Sequence, residues 1–358
     1  MKRFILLLTA AAFLCLTVLP AWANEPAAPA LSLNDAIARA LTYSETIKKA
    51  AEEVDLTEIE REQKEKDLGY VSAGATFEAE GESAYASLLS ANLTWRMSEK
   101  SLTTAQDSLT LSTCSKYWAV QLAQGTLEVA KQSLLQANLD LGKARIYNMV
   151  GMTSKDALLA AETNQASKQY ALEKAQNDLA TAYIAFNQGV GLWPEDRPVL
   201  TDVLTFTPME KVSLEVIVAR VVDDSPTVWQ AEQRVEMQKV LNDLMFYTGS
   251  YQPYEARKIE LSQVKLDAVS AKEASEILTR NMYYAVQSLE ESYPAAEQAL
   301  KLAEENLRVA QVKYQVGMLT RADVAALETA LAQSRQSLLE IKKNHAYYTL
   351  ALEKPWAA

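Results

Sequence analysis

The sequence predicts a mainly α-helical protein made of long antiparallel helical hairpins. Three observations carry this. None of the ten prolines lies between Ala30 and Trp193, a stretch rich in Ala, Leu, Glu, Lys and Gln. Proline costs about 3 kcal/mol inside a helix, so its absence among good helix formers favours long helices. Apolar residues then recur at alternating spacings of three and four. Finally, the pattern occurs twice.

Taken from the N-terminus, Lys2 and Arg3 precede an apolar run from Phe4 to Leu19, followed by Pro20-Ala21-Trp22-Ala23. That order matches a secretory signal with cleavage after Ala23, so residues 1–23 are expected to be a signal peptide. The formal net charge is −11, and −13 once Lys2 and Arg3 leave with that segment. Such acidity argues against a nucleic-acid partner, which needs a basic patch. After cleavage Cys114 is the one cysteine of the chain, which excludes an intrachain disulfide.

A repeat follows without gaps. "YWAVQ" at Tyr117–Gln121 returns as "YYAVQ" at Tyr283–Gln287, and Val150-Gly151-Met152 returns as Val316-Gly317-Met318, both 166 residues on. Upstream, "LSLNDAIARALTYSET" from Leu31 resembles "VSLEVIVARVVDDSPT" from Val212, but at an offset of 181, so the second copy is 15 residues shorter. The boundaries are read as a first repeat over 24–187, a Gly- and Pro-marked connection over 188–211 and a second repeat over 212–358, the two forming one domain.

Each copy should contain a helix, a short element, a long helix, a turn and a last helix. The short element of the first copy, 70–98, reads as a β-hairpin. Val71, Ala73, Ala75 and Phe77 alternate on one arm, and Leu89, Ala91, Leu93 and Trp95 on the other, around a turn near Gly81. The second copy offers only a loop or a stub at 246–258. In the long helices Leu127, Ala130, Leu134, Ala137, Leu141 and Ala144 form a heptad seam, matched by Tyr293, Ala296, Leu300, Ala303, Leu307 and Ala310. The stretch from Tyr254 to Tyr314 would make a rod of roughly 90 Å, kinked at Pro294. The turns at 150–153 and 316–320 place a Gly where the backbone must reverse between packed helices.

Enzyme chemistry finds little support. His345, the only histidine, sits on the seam of the last helix (Val324, Leu327, Leu331, Ser334, Leu338, Ile341, His345), and no phosphate loop, metal-spaced set or nucleophile motif occurs. No enzyme activity and no cofactor are expected.

The tandem copies, the opening "LSLNDAIARAL" and above all "AEENLRVAQVKYQVGMLTRADVAALETALAQSRQSLLEIKKNHAYYTLALE" resemble the TolC family of outer-membrane efflux proteins, over nearly the whole mature chain. The resemblance implies a homotrimer with a helical periplasmic tunnel and a β-barrel in the outer membrane. It also implies docking of a periplasmic adaptor (membrane fusion) protein, and through it an inner-membrane pump. Val150, Gly151, Met152 and Thr153, with Val316, Gly317, Met318, Leu319 and Thr320, match the family's adaptor-docking tips. Asp323 matches the first of the acidic positions that ring the tunnel entrance, while Ala326 stands where some members carry a second; Asp323 also reads as a helix-start acid. The membrane-facing hairpin would present Val71, Phe77, Leu89, Leu93 and Trp95. Such a protein conducts substrate passively. The alternative is a non-conducting coiled-coil scaffold of the cell envelope, suggested by the shortened second copy: one hairpin per protomer gives six strands to a trimer, too few for an open barrel.

Overall fold

The computed structural model describes residues 29–69, 80–243 and 253–358. The signal-peptide expectation at 1–23, together with Val71 and Phe77, lies outside them.

Eight α-helices, a short 3-10 helix (Pro355–Ala357) and one minimal sheet make up the described chain. The α-helices are α1 (Leu33–Tyr43), α2 (Glu45–Gly69), α3 (Glu80–Met149) and α4 (Lys155–Val190), then α5 (Leu214–Asp224), α6 (Pro226–Asp243), α7 (Tyr254–Gln315) and α8 (Arg321–Glu353). At 1.5 Å per residue, the 70 residues of α3 span about 105 Å and the 62 of α7 about 93 Å. The two rods organise everything else. α4 packs along α3 on one side of mid-length and α1 and α2 on the other; α8, α5 and α6 do the same for α7. α3 also packs on α8, which joins the halves side by side. Helix α7 runs unbroken through Pro294.

The seams are where the periodicity puts them. Ala137, Leu141 and Ala310 are buried and their seam neighbours half-buried, while Val324, Leu331, Leu338 and His345 are buried along α8. Alanine at every second position keeps the interface thin, so the rods pack closely without a wide core.

The thickest packing lies at mid-rod. There Tyr117, Val120, Phe186 and Val190 are fully buried with Ala36 and Ala40, and Tyr117 meets Phe186 edge-to-face at 5.8 Å. A second cluster gathers Ile217, Val221, Met282, Ala351 and Leu352. The first is tied to the linking segment by a two-residue parallel sheet, β1 (Ala30–Leu31) with β2 (Val199–Leu200). The Tyr117 hydroxyl completes the tie, donating to Leu31 O (3.1 Å) and accepting from Asp202 N (3.1 Å). Burial raises the pKa of that phenol. Cys114 beside it is buried, and burial pushes its thiol up to about 11.

Three sequence expectations are corrected. The second arm of the expected hairpin is helical, because Leu89, Leu93 and Trp95 all lie within α3 and Gly81 sits in its first turn. As a helix the segment satisfies its own backbone groups, and Leu89 and Leu93 share a face at i and i+4. Leu93 is buried, and Trp95 lies under the Arg61 guanidinium of α2 at 4.8 Å. Of the expected loop at 246–258, residues 246–252 lie outside the described ones, and Tyr254–Lys258 form the start of α7. Helix α4 continues three residues past 187, to Val190, and stops at Gly191 (φ +69°).

Elsewhere the element boundaries of the two halves keep constant offsets. α5 and α6 begin 181 residues after α1 and α2, and α7 ends, like α8 begins, 166 residues after α3 and α4. The 15-residue difference is taken up by helix. α2 runs seven residues past Glu62, which corresponds to the last residue of α6, and α3 begins eight residues before Leu88, which corresponds to the first of α7. The first half is thus about two turns longer on both strands of its helical pair. Ten residues then connect α2 to α3, and ten connect α6 to α7.

Candidate docking site

At the end of the rods away from those connections, each half reverses through a short turn. Helix α3 ends as Gly151 enters the left-handed region (φ +73°), and α7 ends the same way at Gly317 (φ +76°). The closing hydrogen bonds are the same pair in both. Gly151 N donates to Asn148 O (3.1 Å) and Met152 N to Tyr147 O (2.8 Å); Gly317 N donates to Tyr314 O (3.0 Å) and Met318 N to Lys313 O (2.8 Å). This is the Schellman arrangement, which satisfies the last helical carbonyls and requires a residue free of the Cβ penalty at the left-handed position.

The next helix starts at once. Ser154 caps α4 by accepting from Ala157 N (3.4 Å). Thr320 caps α8 with a full capping box: its hydroxyl accepts from Asp323 N (3.2 Å), and Asp323 Oδ2 accepts from Thr320 N (2.8 Å) and from the Thr320 hydroxyl (2.7 Å). Those donors hold the Asp323 carboxyl below its ordinary pKa of 3.8. Asp323 is thus the helix-start acid that the sequence allowed, and the residue is half-buried.

What the turns present is apolar. Val150, Met152, Val316 and Met318 are 62–77% exposed, and Thr153 and Leu319 lie half-buried behind them. Asn148 Nδ2 braces the first turn by reaching Thr153 O (3.5 Å). Neither tip glycine has a heavy atom within 4 Å of where a Cβ would sit, so open space surrounds both. Sequence reading overlooked Ile146, Tyr147, Met149, Val312 and Tyr314, which extend the exposed apolar surface up the last turns of α3 and α7. The signal was available: these residues fall off the seam stripe yet are apolar, and exposed apolar clusters mark interaction surfaces. Above the tips, a groove of about 470 Å³ separates α3 from α8, with Glu128, Arg321, Arg335 and Gln336 along it.

Leu89, Leu93 and Trp95, expected beside the tips' opposite end as membrane-facing strand residues, are instead helix-packing positions towards the far end of α3. No described helix is long and apolar enough to cross a membrane.

No protein-family model and no curated protein sequence matches the chain. Solved structures do. A structure of CusC, concerned with folding and transmembrane channel formation, superposes with TM-score 0.67 at 14% identity, covering 89% of this chain and 90% of that one. The outer membrane protein VceC of Vibrio cholerae gives 0.65 at 16% identity, covering 91% and 95%. The Campylobacter jejuni outer membrane channel CmeC gives 0.64 at 11% identity, covering 91% and 85%. The protein therefore has the fold of the TolC-type outer-membrane channels.

Proposed function

We propose that the protein is the outer-membrane and periplasmic channel component of a tripartite efflux or secretion system. It acts as a homotrimer whose helices enclose a tunnel, docks a periplasmic adaptor protein through its two tips, and conducts substrate passively while an inner-membrane pump supplies the energy. The observation that carries this reading is the pair of matched tips: two glycine turns of the same hydrogen-bond pattern, each displaying an unpartnered Val and Met. A tunnel protein without a docking partner has no use for exposed apolar residues at both reversals. Asp323, besides capping α8, would place one carboxylate per protomer near the tunnel entrance, a ring that favours cations.

The test replaces Gly151 or Gly317 by Asp, a residue that tolerates the left-handed region better than most, so the turns keep their shape. Binding of the purified adaptor protein from the same cell should weaken about tenfold or more, as a charge enters an apolar contact, with the trimer unchanged by analytical ultracentrifugation. Wild-type binding by both variants would show that the tips are not the docking surface.

A further inference from the structure

The methionines divide sharply by position. Among the described residues, Met149, Met152 and Met318 are 72–78% exposed, and all three are at the tips. Met97, Met209 and Met237 are half-buried, and Met282 is buried. Met152 and Met318 occupy the same place in the two turns, directly after the left-handed glycine, with their amides fixed by the 2.8 Å bonds to Tyr147 O and Lys313 O. The backbone there is hydrogen-bonded, and the side chain is largely exposed. An unbranched thioether suits an apolar contact that must adapt to a partner, and it is also the side chain that a mild oxidant converts into a polar one.

We propose that these three methionines form an oxidation site that switches off docking at the tips, an inference that rests on the adaptor-docking reading above. The oxidant is a hydroperoxide, with hydrogen peroxide the simplest. The sulfur lone pair attacks one peroxide oxygen, the O–O bond breaks, the sulfur gains that oxygen as a sulfoxide, and the second oxygen leaves as water. The thioether is oxidised by two electrons and the peroxide is reduced by two. A sulfoxide in place of each thioether puts a strong acceptor into a contact made of valine and methionine, where it must be buried unpaired or kept wet. Return requires a methionine sulfoxide reductase, in which a dithiol gives two electrons and two protons, becomes a disulfide, and the sulfoxide oxygen leaves as water. Since neither tip glycine is crowded and the turns are closed by backbone bonds and the Asn148 amide, with no methionine side chain among them, the fold itself should not respond.

The experiment treats the full-length protein with graded hydrogen peroxide, maps sulfoxides by peptide mass spectrometry, and measures binding of the purified adaptor by biolayer interferometry. The expected order is Met149, Met152 and Met318 first, with the other described methionines lagging. Adaptor affinity should fall about tenfold or more as the three convert, with unchanged far-UV circular dichroism. A Met149→Leu, Met152→Leu, Met318→Leu variant, compared with its own untreated affinity, should show no further loss after peroxide. Unchanged affinity after full conversion of the three sites, or equal loss in the leucine variant, would overturn the proposal while leaving the docking reading intact. Failure of the untreated protein to bind the adaptor would overturn the docking reading and the switch with it.

Discussion

Replacing a glycine at each of the three described helix ends with a left-handed backbone separates two energies that usually arrive together. Gly151, Gly191 and Gly317 have φ of 73°, 69° and 76°, so an alanine at any of them incurs the same backbone penalty, about 1–2 kcal/mol. Their surroundings differ. A Cβ at Gly151 or Gly317 would have no heavy atom within 4 Å. At Gly191 it would fall 2.6 Å from Tyr43 Cγ and 2.7 Å from Cδ1, the base of a ring and not a mobile tip. Overpacking of that kind adds about 1–3 kcal/mol. Gly191→Ala should therefore cost about 2–5 kcal/mol. It should lower the urea midpoint of the whole protein, because Gly191 ends α4 against the mid-rod core. Gly317→Ala should act locally: the open population of its turn should rise about 5- to 30-fold, read as faster hydrogen exchange at Gly317 and Met318. Gly317→Asn should recover most of that protection, because Asn tolerates the left-handed region. Equal global destabilisation by Gly191→Ala and Gly317→Ala would refute this reasoning, as would unchanged exchange in Gly317→Ala.

Two further outcomes follow from hydrogen bonds at the ends and middle of the rods. Tyr117→Phe should cost about 1–3 kcal/mol in thermal or urea unfolding, because Asp202 N then loses its 3.1 Å acceptor and Leu31 O one of its donors; wild-type stability would show that the strand pair does not need the phenol. Asp323 has a folded-state pKa below its ordinary value of 3.8, so its contribution to the start of α8 is fully present above 3.8 and fades as pH falls through the folded value. Amide protection at Asp323 should decline in that acid window, and Asp323→Asn should abolish the decline; an identical acid profile in the variant would show that another group is responsible.

The helical seams and the tips were legible because each rests on a local rule. A three-four spacing can serve only a helix face, and a glycine flanked by two such seams can serve only their reversal. The mid-rod joint was not legible. Strands of two residues carry no periodicity, and nothing in the sequence links Tyr117 to Asp202 or to Leu31, which are 85 and 86 positions away. His345 was readable as a seam position. Its partner was not: Nε2 lies 3.1 Å from Glu290 Oε1, which also accepts Met209 N at 2.6 Å, while Phe206 stacks on Tyr293 at 3.7 Å. These contacts pin the linking segment to α7 and α8 through residues that follow no shared pattern. At the tips, the apolar residues off the seam were visible in the sequence, but only the exposed surface shows that Met149 belongs with Met152 and Met318.

The start of α3 was misjudged for a reason that bears on function. Leu89, Ala91, Leu93 and Trp95 alternate as a strand should, and Leu89 and Leu93 also fall one helical turn apart, so one sequence suits both structures. Helix is the form that satisfies every backbone group within the segment itself. The ten residues between α2 and α3 then set a firm limit. A membrane strand needs about 9–11 residues, and an antiparallel pair with its turn needs roughly twenty. One crossing alone would leave α2 and α3 on opposite sides of a bilayer, yet they pack side by side, with Thr57 Oγ1 2.8 Å from Ser98 Oγ and Arg61 over Trp95. On the proposed function, a membrane hairpin in the first half must therefore draw its second arm out of α3. The alternating residues from Leu89 to Trp95 are the ones suited to leave, and strand partners from neighbouring protomers are what would repay their helical hydrogen bonds. The second half has no such reserve: α6 and α7 are already about two turns shorter, and α7 begins with the charged run Glu255, Arg257 and Lys258. On that proposal the membrane end would depend on assembly and on one half of the chain, whereas the tip turns are formed in both halves of a single protomer.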